Sequence, residues 1–182
     1  MIFIVVFAIG SIPIVWLSRR SLLRPATHGF SRFFAFEAIL ALIVLNAPHW
    51  FEHAFGAQQL VSWFLLVVSI VLVVWGVILL RRFGRSRPTT VGSPEFEWEN
   101  TEALVTTGIY RYIRHPMYSA LLFLAWGALL KSVSIITLVL AGVATLAVAA
   151  TAKAEEVENV ARFGKVYQGY MKRTRRFVPF VF

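Results

Sequence analysis

The chain has 182 residues, of which 58% are hydrophobic, and its mean hydropathy is +0.71. These values exclude an ordinary soluble domain and indicate that a lipid bilayer is the solvent. Eighteen Lys and Arg against nine acidic residues give a net charge of +9, and the absence of Cys excludes disulfides, thiolate metal sites and cysteine nucleophiles.

Five apolar stretches follow one another along the chain and predict transmembrane helices. They are Met1–Leu17, Phe33–Ala47, Leu60–Leu80, Met117–Leu130 and Ser134–Ala150. The third would span about 30 Å as a helix, which is the thickness of the hydrocarbon layer. The last two are shorter, and the short connection around Lys131 predicts a tight helical hairpin. These two helices either gain length from flanking residues or do not fully cross the membrane, and the sequence leaves both outcomes open.

The positions of Lys and Arg predict how these helices are oriented. Seventeen of the 18 lie in the first connection, between Arg81 and Arg114, or from Lys153 onward, whereas Lys131 falls on the opposite side. Because Lys and Arg favour the cytoplasmic side of short loops, we expect the N-terminus outside and the C-terminus in the cytoplasm. We expect the membrane to be a bacterial cytoplasmic membrane. The first stretch is followed rather than preceded by positive charge, so we expect it to be retained as a signal anchor. This topology accounts for the charge without a nucleic-acid partner.

The stretch GIYRYIRHPMY, Gly108–Tyr118, concentrates polar side chains in front of the fourth apolar stretch. Pro116 lacks an N–H and disfavours a helical residue before it, so a helix is predicted to begin there with His115 near its cap. The first N–H groups of that helix have no intrahelical partner and predict an anion site at the membrane surface. The structural alternative is that Arg111 and Arg114 contact lipid phosphates while the tyrosines form an interfacial belt.

A second polar cluster follows the fifth apolar stretch, where Glu155 and Glu156 are predicted to stand at a helix end. Carboxylates beside a bilayer are costly unless they bind a cation or a hydrogen-bond donor. Because a helical hairpin returns the chain to its starting side, the two clusters are expected to be neighbours. They are accompanied by aromatic rings that could stack on a ligand, namely Tyr110, Phe163, Tyr167 and Tyr170. Amides, acids and rings together suit a zwitterionic nucleoside ligand.

With these residues the chain resembles the isoprenylcysteine carboxyl methyltransferase and phospholipid methyltransferase superfamily of integral-membrane enzymes. The similar pieces are LVTTGIYRYIRHPMY, the hairpin, the Glu pair and the closing FGKVYQGYMKRTRRFVPF, which together cover less than half of the chain. The resemblance implies an all-α integral membrane protein of about five transmembrane helices, with a cytoplasmic cofactor pocket closed by the C-terminal tail. It implies a single membrane domain, residues 1–182, with N-terminal scaffold spans in 1–58 and a methyltransferase core in 60–182.

The cofactor implied by the resemblance is S-adenosyl-L-methionine. The family's cofactor contacts map onto Glu102, Ala103, Leu104, Val105, Tyr110, His115, Pro116, Met117, Tyr118 and Glu155. Enzymes of the family that methylate a prenylcysteine carboxylate are expected to carry an Arg four residues before Glu155, where this chain has Thr151. Lys153 or Arg173 could grip a carboxylate instead, whereas Glu156 could accept the proton of an amine or a thiol. These three residues are the predicted catalytic groups.

The activity implied by the resemblance is in-line methyl transfer to a hydrophobic or amphiphilic acceptor, with a prenylcysteine-like carboxylate or a lipid head group as candidates. The acceptor would enter from the bilayer and the cofactor from the cytosol. The expected partners are therefore a lipophilic small-molecule acceptor and membrane lipids, with neither nucleic acid nor metal. A non-enzymatic lipid-binding or transport module is the alternative, which explains the charge but not the spacing of the motifs.

Two features outside these motifs carry predictions of their own. HWFEH, residues 49–53, matches the H-x-x-E-H pattern of inverted zinc peptidases, but no third ligand is evident in the sequence. We interpret it as an interfacial segment beside Trp50 rather than as a metal site. Glu37 lies within the second apolar stretch, where a carboxylate is expensive, so it is either a functional residue or a partner of Arg32 one turn away.

Overall fold

The computed structural model describes residues 1–25, 27–84 and 103–179. Within these ranges the regular secondary structure is helical, apart from an isolated parallel bridge between Ile113 and Arg175. The α-helices are α1 Ile2–Leu22, α2 His28–Asn46, α3 Ala57–Phe83, α4 Pro116–Leu129, α5 Ile135–Phe163 and α6 Lys165–Arg173. Short 3₁₀ turns occupy Ala47–His49 and Gly108–Arg111.

Four helices, α1, α2, α3 and α5, are long and apolar enough to cross a membrane, which makes the chain an integral membrane protein of the helical class. Helix α4 has only 14 residues. Its length of about 21 Å is short of the roughly 30 Å of hydrocarbon. Of the five predicted spans, the described residues therefore contain four of full length and one short apolar helix that packs beside them.

Helix α5 is 29 residues long and extends well beyond the apolar stretch that predicted it. It begins with a capping box, in which the hydroxyl of Ser134 accepts a hydrogen bond from the backbone N–H of Thr137. It ends before Gly164, whose φ of +57° suits a residue without a side chain. The prediction that Glu155 and Glu156 stand at a helix end was wrong, because no Gly or Pro follows them before Gly164 and α5 continues for about two more turns.

The packed centre of the molecule consists of α2 against α5 and α3 against α4, and α4 also contacts α2 and α5. Small residues dominate where these helices meet, which lets their backbones approach closely. The alanines that are buried there are Ala38, Ala125, Ala128, Ala141 and Ala144. Helix α4 thus packs against the longer helices α2, α3 and α5. These contacts hold in place a helix that is too short to span the membrane by itself.

Helix α1 packs against α2 and is otherwise largely exposed, with apolar side chains that suit contact with lipid. A hydrogen bond of 2.7 Å from the Ser11 hydroxyl to Oε2 of Glu37 joins the two helices near their middles. Glu37, the carboxylate predicted to lie within the membrane, therefore contacts a polar side chain of the neighbouring helix. In an apolar medium such a contact removes part of the cost of burying the carboxyl group.

The C-terminal end of α4 is supplied with hydrogen bonds by side chains of α2 and α3. Nδ2 of Asn46 donates to the carbonyl of Ala128 at 2.7 Å, and the Ser62 hydroxyl donates to the carbonyl of Gly127 at 2.7 Å. The last carbonyls of a helix have no intrahelical partner, and hydrocarbon offers none. These side chains therefore bind carbonyls at the end of a helix that is too short to span the hydrocarbon layer by itself.

Lys131, in the connection between α4 and α5, is buried at the same end of the molecule. Its Nζ lies 3.1 Å from Oε1 of Gln59 and 3.4 Å from the centre of the Trp63 ring. Burial lowers the pKa of this ammonium group. Lys131, which lies apart from the other 17 Lys and Arg in the sequence, is thus bound by the amide oxygen of Gln59 and the ring face of Trp63.

Candidate active site

The turn Gly108–Arg111 requires glycine at its first position. Gly108 has a φ of +59°, and a Cβ atom there would lie 2.7 Å from Cδ1 of Leu79 on α3. The turn buries Tyr110, whose carbonyl accepts a 2.6 Å hydrogen bond from the hydroxyl of Tyr170 on α6. Gly108 thus lets the GIY segment pack between the end of α3 and the helix that follows α5.

Helix α4 begins as predicted, with His115 at the N-cap and Pro116 as its first residue. The C-terminal tail lies along the segment that precedes the helix. The backbone N–H of Arg114 donates to the carbonyl of Arg175 at 2.8 Å, and that of His115 donates to the carbonyl of Arg176 at 3.2 Å. The backbone N–H of the N-cap residue therefore binds the tail, whereas the anion site was predicted at the N–H groups that follow it, including those of Met117 and Tyr118.

A cavity lies where this helix start meets α5 and α6. Eight of the ten predicted cofactor positions line it, namely Leu104, Val105, Tyr110, His115, Pro116, Met117, Tyr118 and Glu155. Ala103 is not part of the lining, and Glu102 lies outside the described residues. Segments distant in the sequence thus meet at one site, as the hairpin argument predicts. We refer to this site as the polar cavity.

Further residues line the polar cavity beside the predicted ones: Leu80, Arg114, Asn159, Phe163, Tyr167 and Tyr170. Phe163, Tyr167 and Tyr170 are the rings that the sequence suggested for stacking. Asn159 was missed, although it stands one turn after Glu155 and so falls on the same helix face. Its Nδ2 lies 3.5 Å from Oε1 of Glu155, which places a second polar side chain beside the carboxylate.

The two tyrosines of α6 present a largely buried aromatic wall, with ring centres 5.7 Å apart. Burial raises the pKa of both phenols, and the charge of Glu155 raises the pKa of Tyr167 further. Both therefore remain neutral at physiological pH. A neutral aromatic face beside a carboxylate can bind a flat heterocycle or a positively charged group.

Glu156 lies behind the polar cavity in a buried ion cluster. Its Oε1 accepts from Nε of Arg114 at 2.9 Å, and its Oε2 accepts from Nη2 of Arg176 at 2.6 Å. Nε2 of His115 lies 3.4 Å from the same Oε1. The bond to Glu156 raises the pKa of Arg176. This carboxylate therefore joins the start of α4, α5 and the tail, and it is not part of the cavity lining.

The predicted cationic groups lie away from the polar cavity. Lys153 and Arg173 are both exposed, and neither is part of the lining. Thr151, which stands where a carboxylate-binding Arg was expected, is buried and donates its hydroxyl to the carbonyl of Ala147 at 2.7 Å. Among the described residues of the lining, Arg114 carries a permanent positive charge, and it is already paired with Glu156.

The HWFEH segment has no metal-site geometry. Nδ1 of His49 lies 2.7 Å from Oε2 of Glu52, and both side chains are exposed. In the described parts of the chain, no group of three or more His, Asp or Glu side chains is arranged to hold a metal ion.

Comparison with known proteins identifies related sequences. A family model described as phospholipid methyltransferase matches residues 57–166. A 76-residue segment is 30% identical to methanethiol S-methyltransferase of Crocosphaera subtropica, and this match covers 42% of the chain and 29% of the relative. The chain thus spans less than a third of the curated relative that it matches. No solved structure matches the chain significantly.

Proposed function

Because the chain belongs to the phospholipid methyltransferase family, we propose that it transfers a methyl group from S-adenosylmethionine to a lipophilic acceptor at the membrane. The observation that carries this proposal is the polar cavity, in which segments before and after the α4–α5 hairpin come together. Membership of the family supports a membrane methyltransferase. The cofactor, the residues that bind it and the acceptor are the parts that we propose.

The polar cavity, of about 70 Å³, must widen to admit S-adenosylmethionine, and the side chains that line it offer groups that this cofactor would contact. Leu104, Val105 and the aromatic wall of α6 offer apolar faces for an adenine ring, and Glu155 with Asn159 offers oxygens for ribose hydroxyls or an amino group. When bound, this cofactor supplies an electrophilic methyl group on a positively charged sulfur. An aromatic ring and a carboxylate are the groups that stabilise such a charge.

We propose that Glu156 positions other residues rather than accepting a proton. Two guanidinium groups already occupy its oxygens, and its side chain is only 6% exposed. Through Arg114 and Arg176 it holds the start of α4 and the tail against α5. We propose that the tail thereby closes the polar cavity and limits the access of water.

The acceptor is proposed to be a soft nucleophile such as a thiol. A carboxylate acceptor would favour a free cation beside the cofactor, and Arg114 in the lining is paired with Glu156. A thiol acceptor does not need a cation from the protein, because its sulfur is intrinsically a strong nucleophile and the proton that it loses can pass to water. The name of the methanethiol S-methyltransferase relative supports the same chemistry.

Methyl transfer by the purified protein tests this proposal. Detergent-solubilised protein should be offered radiolabelled S-adenosylmethionine with decanethiol, phosphatidylethanolamine or a farnesylcysteine analogue. We expect labelled thioether from decanethiol. Turnover of the farnesylcysteine analogue that is lost in Lys153→Ala would instead support a carboxylate acceptor that Lys153 binds. Methylation of water-soluble acceptors alone would contradict entry from the membrane.

A further inference from the structure

A second cavity, of about 260 Å³, lies between α3, α4 and the tail. We refer to it as the apolar cavity. The side chains that line it are Leu65, Leu122, Phe123, Trp126, Phe177 and Val178, together with Ser119. The hydroxyl of Ser119 is 2.7 Å from the carbonyl of Phe177, to which it donates. The polar group of the lining is therefore engaged within the protein, and the cavity offers a ligand mainly hydrocarbon and aromatic surface.

The apolar cavity adjoins the polar cavity at the start of α4. Ser119 of the apolar cavity directly follows Tyr118, which lines the polar cavity. The ring of Phe177 lies 6.3 Å from the ring of His115, so one side chain of each cavity meets at the boundary. The apolar cavity follows α4 from Ser119 to Trp126, a length of about 10 Å.

The far end of the apolar cavity reaches the outer surface of the bundle. Trp126 is 42% exposed, and its Nε1 donates to the hydroxyl of Thr145 at 3.2 Å. Because this surface lies within the apolar length of the helices, it faces lipid. The apolar cavity therefore lies between the lipid side of the molecule and the proposed cofactor site.

We infer that the apolar cavity binds the hydrocarbon tail of the methyl acceptor and selects acceptors with one short tail. This inference rests on the proposed function and names the substrate class of that site. A volume of about 260 Å³ lies just below the roughly 300–1,000 Å³ of ordinary ligand pockets. One short alkyl chain fits this volume, and the two acyl chains of a phospholipid do not.

A series of alkanethiols of increasing length tests the selection. In Leu122→Trp a larger side chain fills the apolar cavity, whereas in Val67→Trp the same side chain points to lipid from α3, where Val67 is exposed. In Leu122→Trp, we expect kcat/KM for decanethiol to fall at least about tenfold and that for ethanethiol to change little, as for lost methylene contacts. Val67→Trp should keep the length profile of the wild type, and both variants should keep their affinity for S-adenosylmethionine. An unchanged profile in Leu122→Trp, or an equal loss for both thiols, would overturn the inference.

A photoreactive ten-carbon diazirine alcohol tests the apolar cavity without turnover. We expect labelling of residues 119–126 that decanol displaces in the wild type and in Val67→Trp but not in Leu122→Trp. Labelling of this peptide that decanol does not displace in any variant would overturn the tail site. Displaceable labelling in a protein that neither binds S-adenosylmethionine nor transfers methyl groups would support the site and reject the proposed function.

Discussion

Nε of Arg114 donates a 2.9 Å hydrogen bond to Oε1 of Glu156, and less than 10% of either side chain is exposed. Nη1 of the same Arg114 donates to the carbonyl of Met171 at 3.1 Å, near the end of α6. One guanidinium group therefore connects the start of α4, the polar part of α5 and α6. These are the elements that surround the polar cavity, so the pair is expected to fix its shape.

Loss of the Glu156 carboxylate should destabilise the protein strongly. Glu156→Ala leaves two guanidinium groups without their partner, and breaking a buried ion pair costs about 3–5 kcal/mol. Glu156→Gln keeps one acceptor oxygen and should fall between Glu156→Ala and the wild type. Thermal unfolding in detergent measures the order. Glu155→Gln is the control on the adjacent residue, whose side chain is 31% exposed. A wild-type melting temperature in Glu156→Ala would show that the pair does not hold these elements together.

Substitution of Gly108 should disturb the turn that precedes α4. In Gly108→Ala the residue keeps a positive φ, and its new Cβ would lie 2.7 Å from Leu79. Strain of this kind costs on the order of 1–3 kcal/mol. Gly142→Ala is the control, because a Cβ there meets nothing within 4 Å and Ala favours the helix. The first variant should melt at a lower temperature and the second at an equal or higher one. Equal melting temperatures for Gly108→Ala and the wild type would contradict this role of the turn.

Removal of the side-chain amide at the end of α4 should also be costly. Asn46→Leu leaves the carbonyl of Ala128 without its 2.7 Å partner. Because that carbonyl still accepts from the backbone N–H of Lys131 at 3.2 Å, the expected loss is that of one buried hydrogen bond, about 0.5–1.5 kcal/mol. Leu45→Ala, at an exposed neighbouring position, should change the stability by less than about 0.5 kcal/mol. Unfolding of both variants in the same detergent makes the comparison, and an equal effect would argue against a stabilising role for the Asn46 amide.

The orientation of the helices is a prediction from the sequence that reporter fusions can test. Fusions after Gln58 and after Ser132 should both report the outside, because 17 of the 18 Lys and Arg lie toward the other face. A fusion after Arg173 should report the cytoplasm. A cytoplasmic signal at Gln58 or Ser132 would reverse or break the predicted topology.

Much of the fold follows from the sequence because its signals are local. Apolar length predicted the long helices, and the restricted backbone of Pro116 fixed the start of α4. The end of α5 was misjudged, because loss of hydrophobicity after Ala150 marks the edge of the membrane and not the end of a helix. Helix propensity in the polar segment contained the missing information.

The site was harder to predict, because its contacts depend on how distant segments pack. The resemblance to the family named eight residues that line the polar cavity, and helical spacing could have added Asn159. The pairing of Glu156 with Arg114 and Arg176 has no sequence signal, since the three are brought together by the tail. The apolar cavity was equally hidden, because the residues that line it lie on α3, α4 and the tail.

The central claim is that the polar cavity binds S-adenosylmethionine. Calorimetric titration of the purified protein with this cofactor tests it most directly, with Glu155→Gln and His115→Ala as the cavity variants and Glu52→Gln as a control at an exposed site far along the chain. We expect saturable binding to the wild type and to Glu52→Gln, and affinity reduced at least about tenfold in each cavity variant, as when a hydrogen bond to a charged group is lost. Equal affinity in all four proteins would remove these residues from the site. Absence of binding to folded, monodisperse wild-type protein would contradict the claim.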